Sequence, residues 1–296
     1  MRTMVITNPA SCGGKYRKYI PDIQRILKEE GISYRFFLSQ YPRYAEELAK
    51  RAQQDGFKRV IACGGDGTIN EVANGIIGTD ITLGIIPMGK GGDLAHHLGI
   101  ENDISKAIQN ISRGHQECID TVRVNEDRYY LGVGGIGFDS EVNRLVNNKL
   151  RFLKGRFAYT LGAILKIPGF RFKRVKIHFE KGVFEGEILL AAFGNTRSYG
   201  GGMYITPNAQ IDDGILDICL IKRINKLKLL YMFPRVFKGG HIGVSEVRNY
   251  RTRYLSVESD MPLDFYGDGE FICKTPFSLE VVPKALNVIT PLVEEK

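Results

Sequence analysis

The sequence predicts an α/β protein in two parts. The first is a doubly wound parallel-sheet domain over residues 1–125 with a C-terminal return at 285–296, and the second a mainly antiparallel β-sandwich domain over 126–284. Three observations carry this reading. Short apolar runs and helical periodicities alternate through the first 125 residues, the texture of strands joined by crossover helices. Beyond that point strand-like runs predominate, separated by turn dipeptides. The length of 296 residues suffices for two ordinary domains.

Taken in order, strands are expected at Met4–Thr7, Tyr34–Leu38, Arg59–Cys63 and Thr82–Ile86. Helices are expected at Lys15–Glu30, Tyr44–Gln54, from Thr68 onward, near Asp93–Leu98 and over Asp103–Arg113, with Gly31, Gly56 and Gly114 as stops. In the second part, strands are expected at Arg128–Val133, Arg174–Phe179, Glu187–Phe193, Ile215–Ile221, Thr252–Val257, Pro262–Tyr266 and Phe277–Val282. Turns fall at Lys181-Gly182, Asp213-Gly214 and Gly267-Asp268-Gly269, and helices at Ser140–Asn147, Phe157–Lys166 and Lys226–Phe237. Ligands of doubly wound sheets bind at the carboxyl ends of the strands, where the glycine loops of the first part lie.

Composition narrows the function classes. A hydrophobic fraction of 43% and a charged fraction of 25% are those of a globular domain. No apolar run reaches membrane-spanning length, and the polar N-terminus is not that of a signal peptide. The five cysteines are scattered singly, which points to a reducing cytosol and away from a structural zinc site. The net charge of +8 is unevenly placed: Val142–Phe179 holds ten Lys/Arg and no Asp or Glu, with phenylalanines and a tyrosine interleaved. Such a segment suits an anionic membrane surface or a nucleic acid.

The stretch from Val60 to Gly75, VIACGGDGTINEVANG, organises the chain. A buried strand leads into Gly64, Gly65 and Gly67, and then into a helix for which Thr68 is the expected N-cap and Glu71 its capping-box partner. Strand, glycine turn and helix N-terminus together gather unpaired backbone N–H groups that suit phosphate. Asp66 is the odd residue, since a carboxylate facing phosphates is repulsive unless Mg²⁺ lies between them. Two other glycine stretches fit less well. Gly84, Gly89 and Lys90 follow a P-loop, but Gly91 stands where its Mg²⁺-binding hydroxyl is needed. Gly132-Val-Gly134-Gly135-Ile-Gly137 has the dinucleotide spacing without a βαβ unit around it.

GGDGTINEVANG resembles the nucleotide-binding signature of the diacylglycerol kinase catalytic domain family, which includes bacterial lipid kinases and the sphingosine and ceramide kinases. The more distant NAD kinases share its GGDGT core. The resemblance extends over nearly the whole chain, through Asn8-Pro-Ala-Ser11, Pro87-x-Gly89-Lys90-Gly91-x-Asp93-x-Ala95, Phe138-Asp139, Asp212-Asp213-Gly214 and Asp268-Gly269-Glu270. It implies a diacylglycerol kinase-like fold and an ATP-dependent lipid kinase. ATP would meet Asn8, Ser11, Ser39, Gly64, Gly65, Asp66, Gly67, Thr68, Asn70, Glu71, Gly89, Lys90 and Asp93, in a cleft. Lys90 replaces the family's nucleotide-contacting threonine and Gly92 its asparagine. Mg²⁺ would bridge phosphate to Asp66, and a structural Mg²⁺ would take the Asp213 carboxylate with the carbonyls of Gln210 and Ile215. Glu270 would be the general base that activates the lipid hydroxyl. The implied partner is a lipid such as diacylglycerol at an anionic membrane surface, with no nucleic acid. The implied location is cytoplasmic, peripheral at the inner membrane surface. A homodimer is compatible with the sequence. Two other functions stay open: an NAD kinase-like phosphotransferase, and a non-catalytic lipid- or nucleotide-binding regulator.

Overall fold

The computed structural model describes residues 2–9, 14, 16–88, 92–149 and 156–292. The chain divides into two compact units, Met1–Ile119 with Lys284–Lys296, and Asp120–Pro283.

The first unit alternates β1 (Thr3–Thr7), α1 (Ile20–Glu29), β2 (Tyr34–Leu38), α2 (Tyr44–Ala52), β3 (Arg59–Gly64), α3 (Asp66–Ile76), β4 (Thr82–Pro87), α4 (Asp93–His97) and α5 (Ile104–Arg113). The strands pair in parallel in the order β2-β1-β3-β4. Val60, Ile61, Ala62 and Cys63 are all fully buried, so β3 reads as a continuous apolar run because both its faces are covered. In α1 the helical face Ile23, Ile26 and Leu27 is buried. This helix is shorter than its periodicity predicts: Pro21 sits in its first turn, and a separate 3-10 turn at Tyr16–Lys18 precedes it. The α5 helix opens on Asp103, whose carboxylate accepts the Lys106 N–H at 2.9 Å.

The second unit holds β5 (His115–Val124, which begins in the first unit), β6 (Arg128–Tyr130), β7 (Val133–Gly137), α6 (Phe138–Lys149), α7 (Arg156–Lys166), β8 (Lys173–Phe179), β9 (Gly182–Gly194), β10 (Leu216–Lys222), α8 (Lys226–Val236), β11 (Val247–Thr252), β12 (Tyr254–Ser259), β13 (Asp264–Gly267), β14 (Glu270–Lys274) and β15 (Phe277–Thr290). Its strand pairs are antiparallel, in the order β14-β13-β7-β9-β8-β12-β15, with β10 on β9 and β11 on β10. The last residues of β15 pair in parallel with β4, Asn287 against Thr82 and Val288 against Leu83.

Alternation on β10 explains its apolar run from Ile218 to Ile221. Leu216, Ile218 and Leu220 join one core with β12, β13 and β15, while Cys219 and Ile221 join another with α6, α7 and α8. Both expected folds are therefore present, a parallel α/β sheet and an antiparallel sandwich with helices on one of its faces. Two strand predictions need correction, and β11 and β14, like β5, were not expected. Arg128–Val133 is broken into β6 and the start of β7, and Thr252–Val257 spans the junction of β11 and β12. β5 was not expected, because its first four residues are exposed and polar enough to hide the pattern.

Candidate active site

The parallel register brings most of the expected nucleotide residues to one edge. Thr7 ends β1 opposite Leu38 and Cys63, and Gly64 ends β3 opposite Pro87. Asn8, Ser39, Gly64 and Met88 therefore leave the sheet side by side. Two backbone bonds fix this edge, Ser39 N–H to Thr7 O and Met88 N–H to Gly64 O, each 2.8 Å. Strand order reverses at β1, so the crevice lies between the ends of β1 and β3, flanked by Asn8 and Gly64. Ser39 is buried, and its hydroxyl donates at 3.4 Å to Tyr41 O. Ser11, Gly89 and Lys90 lie outside the described residues.

Asp66 is the first residue of α3, with Gly65 in extended backbone as its N-cap. The Thr68–Glu71 capping box is not formed. Thr68 is buried against Gly64, where an added Cβ would stand 2.6 Å from the Thr68 hydroxyl oxygen. Glu71 instead accepts the N–H groups of Arg43 at 2.9 Å and Ala45 at 3.2 Å, serving the start of α2. Asn70 is buried and accepts from Asn74 Nδ2 at 3.1 Å. Asp66 Oδ2 accepts the Gly92 N–H at 2.9 Å, and the Asp93 N–H also bonds this carboxylate. Gly92 has φ +86°, a conformation glycine adopts without strain. The other Asp66 oxygen is buried and has no partner among the described residues. Burial raises the Asp66 pKa, and the backbone N–H groups of Gly92, Asp93 and Asp66 itself act against that rise. A buried carboxylate with one oxygen unsatisfied, beside a phosphate-compatible glycine turn, fits a divalent cation.

In the second unit, Gly267-Asp268-Gly269-Glu270 is a two-residue hairpin turn between β13 and β14, with Gly267 opposite Glu270. Asp268 and Gly269 have φ of +50° and +81°, the pattern that favours Asp-Gly in such turns. Asp268 accepts the Leu131 N–H at 2.8 Å and the Gly132 N–H at 2.9 Å. Its own N–H donates to Val133 O at 3.1 Å, and Asn147 Nδ2 donates to Gly269 O at 3.0 Å. The turn that presents Glu270, an exposed residue, is therefore held from β7 and α6. The glycines of the dinucleotide-like stretch serve packing. A Cβ on Gly134 would collide with the Phe265 ring, and one on Gly135 with the Asp139 carboxylate.

The Asp213 turn is already charge-compensated. Its carboxylate accepts the Ile215 N–H at 3.0 Å and pairs with the Arg251 guanidinium, which also reaches Asp217 at 3.4 Å. Gln210 is exposed. Asp120, fully buried on β5, accepts the Gly214 N–H at 2.6 Å. Among the described residues no group of three or more His, Cys, Asp or Glu side chains is placed to hold a metal. A cation here must share Asp213 with Arg251, so the turn fits Mg²⁺ less well than Asp66 does.

A cavity of about 50 Å³ lies inside the second unit, lined by side chains of α6, α7, α8, β9 and β10. Its lining is apolar except for Asp139 and Tyr199. The Tyr199 hydroxyl donates to Asp139 Oδ1 at 2.9 Å. Burial pushes the Asp139 carboxyl up to about 6, with the Tyr199 bond pulling the other way. Sequence reasoning gave no role to Asp120, Asp139, Tyr199 or Arg251. The one available signal was a carboxylate inside an apolar stretch, present at Asp120 and at Phe138-Asp139.

A parallel-sheet unit with its crevice at the β1–β3 switch, joined to an antiparallel sandwich, defines the class as a two-domain kinase fold. Residues 2–124 match the diacylglycerol kinase catalytic domain, and residues 132–290 match the YegS C-terminal NAD kinase beta sandwich-like domain. The chain is 35% identical to a diacylglycerol kinase of Mycobacterium tuberculosis, over 98% of this chain and 95% of that one. It is 30% identical, over the same shares, to a diacylglycerol kinase of Staphylococcus carnosus. A crystal structure of a diacylglycerol kinase from Bacillus anthracis superposes with TM-score 0.82 at 24% identity, over 98% of this chain and 96% of that one. The chain belongs to the diacylglycerol kinase family, and as a member it is an enzyme, a lipid kinase with ATP as the phosphoryl donor the family implies.

Proposed function

We propose that this kinase transfers the ATP γ-phosphate to the free hydroxyl of a diacylglycerol in a Mg²⁺-dependent reaction. The observation that carries the proposal is the buried oxygen of Asp66, without a partner among the described residues, at the carboxyl edge of the parallel sheet. In this reading residues 1–125 with 285–296 form the nucleotide domain, and 126–284 the lipid domain. Asn8, Ser11, Ser39, Gly64–Asn70, Glu71, Gly89, Lys90 and Asp93 make up the nucleotide site. Gly64, Gly65 and Gly67 offer backbone N–H groups to the phosphates, and Lys90 adds a point charge. Glu71 acts at one remove, holding the start of α2. When bound, Mg²⁺ supplies neutralisation of phosphate charge. Asp66 holds its negative charge toward that position, and the Gly92 N–H keeps its carboxylate oriented.

Glu270 takes the proton from the lipid hydroxyl as that oxygen attacks. Asp268 and Asn147 hold its turn in place. The acyl end of the substrate enters the apolar cavity beside Asp139. At about 50 Å³ the cavity has room for a few waters, far less than a whole diacylglycerol, so lipid binding widens it. Gln210, Asp213 and Ile215 are the proposed second metal position. The substrate is met at the membrane surface, where the enzyme is peripheral; among the described residues no helix is long and apolar enough to cross a membrane.

Labelled γ-phosphate transfer to diacylglycerol in mixed vesicles, with and without Mg²⁺, tests the reaction. Glu270→Gln tests the base: turnover should fall on the order of 100-fold or more while ATP affinity by calorimetry is unchanged. A fall of less than about tenfold rejects Glu270 as the base. Parallel loss of ATP binding would place the turn in the nucleotide site.

A further inference from the structure

Helix α8 is apolar on two opposite sides. Leu229, Met232 and Val236, spaced at one helical face, are buried in the core. Leu227, Leu230 and Tyr231 form a second stripe at the same spacing, and they are exposed, Leu227 at 77% and Tyr231 at 68%. Helix α7 repeats the arrangement. Ala158 and Ala163 are buried, while Phe157, Ile164 and Leu165 are exposed, Phe157 at 64%. The two helices are neighbours: Ala163 and Leu229 line the same cavity, and Lys226 Nζ at the start of α8 donates to Pro168 O just beyond α7. Of the fourteen large apolar side chains exposed among the described residues, six lie on these two helices. Core packing leaves that concentration unexplained, because each helix already buries its other side.

The charge around the stripes identifies what covers them. Residues 222–245 hold six Lys/Arg and no Asp or Glu, and the segment 142–179 that contains α7 holds ten and none. Among the described residues, six of these sixteen are paired within the fold: Lys228 with Glu246, Arg223 with Glu187, Lys166 and Lys173 with Glu141, Arg174 with Glu185 and Arg144 with Asp264. Arg235 instead lies over the Tyr231 ring, 4.7 Å from its centre. A second copy of the chain is disfavoured as the partner. A two-fold interface would set the same basic residues against themselves. An anionic bilayer surface answers both features, taking the apolar side chains among its acyl chains and the basic rim among its headgroups.

We propose that the outward face of α7 and α8, with Leu227, Leu230 and Tyr231 at its centre, is the surface by which this enzyme docks on an anionic membrane. Both helices also contribute to the lining of the cavity, through Ala163 and Leu229. The proposal rests on the lipid-kinase reading for its purpose and on the surface alone for its test.

Full-length protein should sediment with phosphatidylcholine vesicles that contain phosphatidylglycerol and much less with phosphatidylcholine alone. The double variant Leu227→Glu/Tyr231→Glu should bind the anionic vesicles at least about tenfold more weakly. Met261→Glu, which changes an equally exposed apolar residue outside the face, should bind like the unaltered protein. The double variant should also keep its phosphorylation of dispersed dioctanoylglycerol and lose that of long-chain diacylglycerol in vesicles. If the unaltered protein phosphorylates neither, the acceptor assignment fails and the docking face is judged on sedimentation alone. Vesicle binding by the double variant equal to that of the unaltered protein overturns the proposal. So does a change from dimer to monomer with vesicle binding intact, which would make the face a dimer interface.

Discussion

Asp66 and Asp268 each stand before a glycine just past the end of a strand, and the fold treats their carboxylates differently. Asp268 spends both oxygens on the backbone, one on the Leu131 N–H and one on the Gly132 N–H. Asp66 spends one oxygen on the Gly92 N–H and leaves the other buried with no partner among the described residues. A carboxylate satisfied by two N–H groups stabilises a fold, whereas a half-satisfied buried one costs it. By that measure Asp268 is structural and anchors the turn that carries Glu270, while the Asp66 carboxylate carries a cost, which fits the metal-contact role proposed for it.

The largest expected effect breaks or upholds this contrast directly. Asp66→Asn should lower phosphoryl transfer about 1,000-fold, the scale of losing one electrostatic contact to the reacting phosphates. It should leave thermal stability at neutral pH unchanged or higher, because burial has raised this group's pKa and the amide carries no charge. Loss of activity together with a lower melting point would move Asp66 into the structural class with Asp268.

Asp139 extends the contrast into the second unit, as a buried carboxylate that accepts the Tyr199 hydroxyl. Its folded-state pKa of about 6 lies above the ordinary value of 3.8. The folded protein therefore holds this proton more tightly than the unfolded chain does. The contribution to stability is greatest below the ordinary value and is lost as pH rises to about 6. Asp139→Asn should remove that loss, gaining up to about 3 kcal/mol at neutral pH relative to the unaltered protein. The asparagine oxygen still accepts from Tyr199. Melting curves of both proteins across this range check it; a difference that stays constant with pH would deny Asp139 its raised pKa.

Asp268→Ala should behave in the reverse sense to Asp66→Asn. Two half-buried N–H groups lose their acceptor, which costs about 2 kcal/mol. Turnover should fall with the stability, since Glu270 then sits on an unanchored turn. Glu270→Gln is the control: its side chain is exposed, so its stability should stay within about 0.5 kcal/mol of that of the unaltered protein. Unchanged stability in Asp268→Ala would erase the difference between the two turns.

The position of Asp66 was legible in the sequence because it is set locally: strand, glycines and helix start lie within a few residues, and parallel strands fix which edge they share. The strands themselves were legible where burial is two-sided, as in β3 and β10, and lost where half the strand is exposed, as in β5. The capping box failed for a physical reason. Helix α3 begins two residues before Thr68, whose side chain turns inward against Gly64, and Glu71 is drawn off to α2. The remaining partners are set by register between distant strands. Arg251 reaches Asp213 because β11 places Arg251 opposite Asp217 on β10, a pairing that no spacing of acidic residues discloses. Asp120 meets the Gly214 N–H through the same kind of tertiary placement.

The smallest expected effect concerns that last turn. Asp213 and Arg251 form a half-exposed ion pair, and such pairs contribute at most about 1 kcal/mol. Asp213→Ala should therefore lower stability by about 1 kcal/mol or less if the pair acts alone. The proposed second Mg²⁺ makes a further demand, because the metal and the guanidinium compete for one carboxylate. Arg251→Met removes the competitor and keeps much of the apolar stem. If the metal belongs here, added Mg²⁺ should raise the melting point of Arg251→Met more than that of the unaltered protein, and should do nothing further for Asp213→Ala. Asp66→Asn serves as the reference, since it removes only the other proposed metal contact and leaves this response in place. Equal responses to Mg²⁺ in the Arg251→Met and Asp213→Ala proteins would mean that Arg251 is the natural cation of this turn. Asp213 would then join Asp268 among the carboxylates that the fold has already satisfied.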